Sequence, residues 1–470
     1  MTQDQHGNAV TSAAPDAIGQ YDAAVDHLLH FRADVVDATE NALRADPGFA
    51  LARAMQAYLG VLGTEPDDAA KARDLLRDYL ATADLTRLLP RERMHLAAAR
   101  ALVAGDWYGG AGLLRDLVGE FPRDPLALAI GHQCDFFTGD AATLRDRVGS
   151  VLTAWRPDEP AYSTLLGMYA FGLEECGHYA RAEDVGLEAV ERDPSDVWGV
   201  HAVVHTFEMQ GRFRDGLSYL DKRALDWQTG NFLNVHNWWH YCLYLLDSGN
   251  SVEPLEIYDS VLHTAQSTGA CMEMLDAAAL LWRLYLEGSD QSQRWMVLAD
   301  AWEPKMTVPH YAFNDMHAVM AYVGAGRFDD AQRLVDARAA WLAEPGNDPT
   351  ITNVMMTRDV GIPVCSALIA FGQERYAQAV GHLLPIRSMV NRFGGSHAQR
   401  DAVQRTLVEA ALRSGRYDLA RSLLSERLGV NPCSPYAWLK QAALAEALGD
   451  AAAAGSARAR AGSLRAPARG

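Results

Sequence analysis

The 470-residue sequence predicts an all-α solenoid built from helix–turn–helix units. Apolar residues recur with helical spacing along most of the chain, and no stretch of useful length alternates in the manner of a β-strand. Many of the helical patterns end at a glycine, and an aromatic or small residue then opens a second helical pattern. The recurrence of this arrangement indicates repeats of a single supersecondary unit.

The glycines of this repeat follow one another at intervals of 34 to 46 residues. They are Gly177, Gly211, Gly249, Gly288, Gly326, Gly372, Gly415 and Gly449. Glycine suits the residue after a helix because it adopts left-handed backbone angles without steric cost. A unit of this length is typical of tetratricopeptide (TPR)-like arrays, in which stacked hairpins share one core. We therefore predict a TPR-like solenoid curled into a superhelix with an internal polar cavity.

The repeats predict one solenoid over residues 21–454. Residues 49–63, 92–107 and 124–140 also have helical patterns that end near a glycine, so the N-terminal part belongs to the same array. The first 20 residues are polar, and we expect a disordered segment there. Residues 455–470 are rich in alanine, arginine and glycine and contain no acidic residue, so we expect a flexible basic tail.

The composition is that of a soluble protein, with 49% hydrophobic and 22% charged residues. A net charge of −18 repels phosphate backbones, so we expect no nucleic acid partner. We find no apolar run near the ~20 residues that span a bilayer and no signal peptide, so we expect no membrane association. The six cysteines are scattered, which favours free thiols in the cytoplasm over a cysteine-rich zinc site.

Titratable residues recur on the first helices of the predicted hairpins. In "HAVVHTFEMQGR" (201–212), His201, His205 and Glu208 are spaced four and three residues apart and share one helical face. In "HNWWH" (236–240), His236 and His240 are also four apart. If the first helices line the inner wall of the superhelix, these side chains converge there. The polar groups that follow at the repeat spacing are Asp276, Asn314, Asp315, His317, Arg358, Asp359, His397, Arg400 and Asp401.

The two histidine pairs form a candidate divalent metal site. Imidazoles at positions i and i+4 point the same way and can chelate one ion, although the HExxH signature is absent. The candidate ligands are His201, His205, His236 and His240. Buried histidines bonded to backbone carbonyls, or a proton-transfer site, are the alternatives.

Other polar residues allow a structural and a functional interpretation. Glu208 lies near a helix C-terminus, where the dipole disfavours a carboxylate, so we expect a partner such as His205, Arg212 or a ligand cation. Asp276 is either buried or part of a solvated stripe with Leu280, Arg283 and Glu287. Ser396 is interpreted as an N-cap in a capping box with Gln399. Trp238 and Trp239 are expected in the core or in a cavity wall.

Several segments together resemble the tetratricopeptide repeat protein 38 family. They are "GMYAFGLEECGHYARAE", "HAVVHTFEMQGR", "NFLNVHNWWHYCLYLLDSGN", "MLDAAALLWRLYLEG", "FNDMHAVMAYVGAGR", "RDVGIPVCSALIAFG" and "GGSHAQRD". The resemblance covers about residues 20–450. It implies a soluble helical-repeat protein of a kind found in bacteria and animals, and it implies no particular activity.

The sequence leaves three functions open. The first is a helical-repeat protein whose cavity binds a small polar ligand or a peptide, and a homodimer is compatible with it. The candidate binding residues are Glu208, Asn237, Trp238, Asn314, Arg358, Asp359, His397, Arg400 and Asp401. The second is a metal-assisted or acid–base hydrolase, and its candidate catalytic residues are His205, His240, Asp276, Asp315 and His317. In the third, the polar groups only fix the packing of the repeats.

Overall fold

The computed structural model describes residues 2–345 and 348–466. Two short strands open the chain, β1 (Thr2–Gln3) and β2 (Ala9–Val10), and they pair antiparallel. The first twelve helices are α1 (Pro15–Leu29), α2 (Val35–Ala45), α3 (Ala50–Leu62), α4 (Pro66–Thr82), α5 (Pro90–Val103), α6 (Trp107–Glu120), α7 (Pro125–Thr138), α8 (Ala141–Gly149), α9 (Tyr162–Glu175), α10 (Tyr179–Arg192), α11 (Val197–Met209) and α12 (Phe213–Lys222).

The remaining helices continue the same pattern to the C-terminus. They are α13 (Ala224–Trp227), α14 (Asn234–Ser248), α15 (Glu253–Ile257), α16 (Cys271–Leu286), α17 (Ser292–Trp302), α18 (Ala312–Gly324), α19 (Phe328–Leu342), α20 (Thr352–Met356), α21 (Ile362–Gly372), α22 (Tyr376–Leu383), α23 (His397–Arg413), α24 (Tyr417–Val430), α25 (Pro435–Ala447) and α26 (Ala451–Arg465). Single 3₁₀ turns lie at Leu85–Arg87, Leu152–Ala154, Glu303–Met306, Leu384–Ile386 and Val390–Phe393, and π-helical turns at Tyr258–Leu262 and Thr357–Gly361.

The helices pack as successive hairpins, which confirms the predicted all-α solenoid. From α9 to α21 the first helix of a hairpin also contacts the first helix of the next one, as α9 does with α11 and α16 with α18. The first helices α11, α16 and α18 are buried along nearly their whole length. The second helices α10 and α12 bury a single face, as expected for the outer layer of an array.

The array curls back onto itself. In its C-terminal part α23 contacts α16 and α11, and α25 contacts α14. The N-terminal part is joined to the middle by Glu65, which accepts hydrogen bonds from Lys305 Nζ at 2.9 Å and from the backbone N–H of Cys271 at 2.7 Å. Because of this closure, side chains on first helices that are distant in sequence meet in the interior.

The glycines of the repeat have the predicted backbone conformation at seven of eight positions. Gly177, Gly211, Gly249, Gly288, Gly326, Gly415 and Gly449 have φ between 69° and 95°. The prediction is wrong at Gly372, which is the last residue of α21. There Glu374 takes the left-handed conformation, with φ at 60°.

The two ends of the chain differ from the loose segments expected from sequence. Residues 2–10 form the strand pair, and Asp4 makes a buried ion pair of 2.9 Å with Arg91. At the other end α26 continues to Arg465, whose Nε donates a 3.0 Å hydrogen bond to the backbone oxygen of Asp247. Residues 467–470 of the predicted tail lie outside the described residues.

One continuous helical stretch, Thr352–Gly372, has the length and the mean hydropathy (1.5) of a segment that could cross a bilayer. This differs from the expectation that the chain has no such stretch. The stretch Thr352–Gly372 includes Arg358 and Asp359, and 61% of its most apolar 18-residue segment is buried inside the fold. Within it, α21 packs against α18, α19 and α22 in the manner of a core helix.

We predict opposite effects for two helical glycine-to-alanine exchanges. In Gly324→Ala the new methyl group would overlap the buried indole of Trp295, so the free energy of unfolding should fall by about 1–3 kcal/mol. In the matched variant Gly381→Ala the methyl group meets no atom within 4 Å, and the better helix propensity should raise it by about 0.5–1 kcal/mol. Denaturant unfolding measures both, and equal stability of the two variants would contradict the packing of α17 against α18.

Candidate functional site

Four imidazoles meet where α11 lies beside α14. A ring nitrogen from each of His201, His205, His236 and His240 lies within 4.8 Å of the others. His201, His205 and His240 are buried, and His236 is partly buried. The structure therefore brings together the four residues that the sequence predicted as metal ligands, and we call them the tetrahistidine cluster.

Two carboxylates orient the cluster from neighbouring helices. Nδ1 of His240 lies 2.6 Å from Oε2 of Glu208 on α11. Nδ1 of His236 lies 2.9 Å from Oδ2 and 3.0 Å from Oδ1 of Asp276 on α16. A carboxylate accepts hydrogen bonds, so each Nδ1 carries the proton and donates it. In a neutral ring this leaves the Nε2 lone pair free to bind a proton or a metal ion.

The two Nε2 atoms face each other. Nε2 of His240 lies 3.2 Å from Nε2 of His236. If both rings are neutral with protonated Nδ1, two lone pairs meet at this distance and repel. The arrangement is favourable when a proton or a metal ion lies between the two nitrogens.

The histidines of α11 complete the cluster without hydrogen bonds. Within residues 2–345 and 348–466, neither ring nitrogen of His201 or His205 has a hydrogen-bond partner. Burial lowers the pKa of His201, His205 and His240 well below the usual value, and the neighbouring imidazoles lower it further. These rings are therefore neutral near pH 7, which is the form that ligates metals.

The structure identifies the partner of Glu208. It is His240, and not His205 or Arg212 as considered from sequence, because Arg212 pairs with Glu183 and Asp215. Burial raises the pKa of Glu208 to about 7, and the positive charge of Arg283 opposes this shift. The carboxylate thus depends on nearby positive charge to stay ionised.

The stripe that begins at Asp276 is buried and not solvated. Asp276, Leu280 and Arg283 are at most 2% exposed, and only Glu287 of that stripe reaches the surface. The guanidinium of Arg283 lies 5.1 Å from the Trp239 ring centre, and the ring stacks on His236. Trp239 therefore forms a wall of the cluster, as predicted.

A second group of potential ligands adjoins the cluster. Glu174 and Glu175 at the end of α9 and His397 at the start of α23 offer ligand atoms within 4.8 Å of one another. Glu174 Oε2 lies 3.6 Å from Nδ1 of His205, so the two groups touch. In the described part of the chain neither carboxylate oxygen of Glu174 has a hydrogen-bond partner. Burial and the charge of Glu175 raise its pKa well above the usual value.

A cavity of about 590 Å³ with several charged residues in its wall opens beside both groups. Its wall includes Glu208, Asp247, His397, Asp401, Arg405 and Arg427. Asp401 lies 2.6 Å from Arg405 Nε and 2.6 Å from Arg427 Nη1, and these cations lower its pKa despite burial. Burial raises the pKa of Asp247 to about 6. The predicted residues Glu208, His397 and Asp401 therefore share one cavity.

Arg400 lies behind this wall and is 7% exposed. Its guanidinium donates to the backbone oxygen of Gly395 and, at 3.2 Å, to Oε2 of Glu175. Ser396 begins α23 as the predicted N-cap, because its Oγ accepts from the N–H of Gln399, whose side chain accepts from Ser396. The capping box therefore fixes the helix start that carries His397 and Arg400.

The other predicted catalytic residues on α18 lie apart from the cluster. Asp315 makes a buried pair with Arg338, with Oδ1 2.9 Å from Nη2. Nδ1 of His317 donates to the backbone oxygen of Phe313 at 2.8 Å. Asn314, predicted to bind a ligand, donates to Thr64 Oγ1 at 3.1 Å. These three residues are buried and contact the surrounding helices.

The remaining predicted binding residues also lie elsewhere. Arg358 and Asp359 pair with each other at 2.7 Å, and the Arg358 side chain is 60% exposed. Trp238 packs edge-on against Trp227 with ring centres 5.0 Å apart. Asn237 is fully buried, and its amide has no hydrogen-bond partner in the described part of the chain.

Glu174, Glu175 and Asp247 are not among the site residues predicted from the sequence. A signal was present for Glu174, which precedes Gly177 by three residues as Glu208 precedes Gly211. Residues at equal distance from the glycine occupy the same level of successive first helices. Asp247 lies at a similar level, two residues before Gly249.

No known family model matches the chain, so the resemblance to the tetratricopeptide repeat protein 38 family stays a prediction. Among solved structures, the human IFIT1 dimer with PPP-AAAA is similar at 13% identity and a TM-score of 0.36, covering 97% of this chain and 92% of that one. Yeast Tom70 is similar at 13% identity and a TM-score of 0.34, covering 95% and 92%. These scores are too low to support an inference about function, and the helical hairpins themselves establish the solenoid.

We predict that His317 makes stability depend on pH. Burial lowers its pKa to about 4, so it stays neutral in the folded chain while the unfolded chain takes up a proton below pH 6.5. From this residue alone, the free energy of unfolding should fall by about 2 kcal/mol between pH 7 and pH 5.

The matched variant His317→Gln removes this titration. Its loss of unfolding free energy between pH 7 and pH 5 should be smaller than that of the unchanged chain by the same amount. Denaturant unfolding of both proteins at the two pH values gives the comparison. An equal loss in both would show that the imidazole titrates normally in the folded state.

Proposed function

We propose that this protein binds a divalent transition metal ion in the tetrahistidine cluster and a small polar ligand in the adjoining cavity. The observation that carries the proposal is the convergence of four imidazole nitrogens within 4.8 Å in a buried site. Imidazole is a preferred ligand of zinc and of neighbouring transition metals.

The charges around the cluster favour a cation. Two carboxylates are hydrogen-bonded to the cluster, those of Glu208 and Asp276. The guanidinium of Arg283 acts on Glu208 from a greater distance. If both carboxylates are ionised and the imidazoles neutral, a net negative charge remains at the cluster. A divalent cation compensates this charge, and uncompensated buried charge is costly.

The spacing of one histidine pair already fits a tetrahedral ion. Metal–nitrogen bonds of about 2.0–2.1 Å place neighbouring ligands of such an ion about 3.4 Å apart. The two Nε2 atoms of His236 and His240 are already 3.2 Å apart. The carboxylates on both Nδ1 atoms match the carboxylate–histidine–metal arrangement that fixes ring orientation in protein metal sites.

The cavity supports a small ligand in preference to a peptide. A volume of about 590 Å³ lies within the usual range for small-molecule pockets. Its charged wall residues would recognise polar groups, and Glu208 connects it to the cluster because it lines the cavity and accepts from His240. Four imidazole ligands would fill a tetrahedral ion, whereas catalytic zinc keeps an open position, so this site favours binding over hydrolysis. The free cysteines fit the proposed cytoplasmic location.

The test uses zinc and cobalt(II) with the full chain after chelator treatment. We expect one ion per chain in this site and, for cobalt, the visible absorption of a tetrahedral complex. His201→Leu should weaken the affinity by more than about 100-fold. In the same variant the metal-free protein should be as stable as before or more stable, because His201 makes no hydrogen bond that its removal would break.

His317→Leu is the matched control, because it makes the same exchange at a buried histidine outside the cluster. It should bind the first ion as tightly as the unchanged chain. The double variant His236→Ala/His240→Ala should bind none in this site. Failure of the unchanged chain to bind zinc or cobalt would end the metal proposal and favour a proton shared between the two Nε2 atoms.

A further inference from the structure

We propose that Glu174, Glu175 and His397 form a second cation site, which is open to the cavity. It goes beyond the proposed function, and its geometry does not depend on an ion in the tetrahistidine cluster. The three side chains come from the end of α9 and the start of α23, which the closure of the solenoid brings together.

The first argument is the state of Glu174. Its side chain is fully buried, and within residues 2–345 and 348–466 both of its carboxylate oxygens lack a hydrogen-bond partner. A buried carboxylate without partners is unfavourable unless a proton or a cation neutralises it. Its nearest basic group is Nδ1 of His205, which lies 3.6 Å away, beyond hydrogen-bond distance. A bound cation would satisfy both oxygens.

The second argument is the convergence of three ligand atoms. Nδ1 of His397 is buried without a hydrogen-bond partner in the described residues and lies 3.6 Å from Oε2 of Glu175. Together with Glu174 these atoms lie within 4.8 Å of one another, as the ligands of one ion must. Glu175 is also held by the backbone N–H of His397 at 2.8 Å and by Arg400 at 3.2 Å. These bonds fix the position of the Glu175 carboxylate, and they also compete with a bound cation for its negative charge.

The ligand types indicate which ions would bind. Two carboxylates and one imidazole suit Mn²⁺, Fe²⁺ or Zn²⁺, whereas four imidazoles favour Zn²⁺. Three protein ligands leave coordination positions open, which water or an oxygen ligand would fill. Because His397 also lines the cavity, an ion held here would meet a ligand that enters it. The second site would thus anchor the small polar ligand.

The test titrates Mn²⁺ into the full chain after one equivalent of Zn²⁺, with free Mn²⁺ followed by electron paramagnetic resonance. We expect one tightly bound Mn²⁺ per chain. Glu174→Gln should weaken Mn²⁺ binding by at least about tenfold and leave the zinc in place. His397→Asn, at a more exposed position, should do the same and provides a second variant if Glu174→Gln fails to fold. Equal Mn²⁺ affinity in these variants and the unchanged chain would overturn the proposal.

Glu409→Gln is the matched control. Glu409 is also a buried carboxylate, but it is paired with Lys440 at 2.7 Å, and its exchange should leave Mn²⁺ binding unchanged. His201→Leu separates the two proposals when Mn²⁺ is titrated without added Zn²⁺, because the exchange should weaken the cluster alone and leave Mn²⁺ binding at the second site unchanged. Absence of Mn²⁺ binding in a chain that holds zinc would overturn the second site alone.

Solvent proton relaxation measures whether the bound ion has open coordination positions. Bound Mn²⁺ that keeps exchangeable water enhances the relaxation of solvent protons. We expect this enhancement in the unchanged chain and its reduction by inorganic phosphate, a probe for an oxygen ligand. A bound Mn²⁺ without enhancement would show that the site is closed to the cavity.

Discussion

Compensation of buried charge is the constraint on which the centre of this molecule depends. Two hydrogen bonds, from His240 to Glu208 and from His236 to Asp276, connect α11, α14 and α16 across consecutive hairpins. They hold carboxylates where the surrounding core is apolar, and a carboxylate is stable there only when positive charge is close. Burial lowers the pKa of His201, His205 and His240, so these three imidazoles do not supply this charge themselves. An ion at the cluster and the packing of three helices would thus stabilise each other.

The closure of the solenoid explains why the site has ligands from helices that are far apart in sequence. Neighbouring first helices place Glu174 beside His205 and Glu208 beside His240, which a straight array would also do. The contacts of α23 with α11 and α16 are different, because they require the superhelix to turn back on itself. Through them His397 and Arg400 reach Glu175, more than 200 residues away in the sequence. The cavity lies between the two sides that this closure joins.

The sequence was sufficient for the repeat and for the tetrahistidine cluster, because both depend on local spacing. Residues four apart share a helical face, and residues one repeat apart lie on adjacent first helices. The same rule was insufficient for Asp315 and His317, which lie on the first helix two hairpins after α14. Each hairpin of a solenoid is rotated relative to the one before it, so side chains at corresponding repeat positions several hairpins apart do not point toward the same site. The rotation depends on packing between helices, which spacing in the sequence does not contain.

The glycine that defines the repeat also increases the need for positive charge at the site. Helices α9 and α11 are each followed by a left-handed glycine, Gly177 and Gly211 respectively. Glu174 lies three residues before Gly177, and Glu208 lies three residues before Gly211. Both carboxylates therefore lie at a helix C-terminus, where the partial negative charge of the last carbonyl groups disfavours them. Burial adds to this effect and raises the pKa of both. The turn that makes stacking possible thus places two carboxylates where a nearby cation would stabilise them.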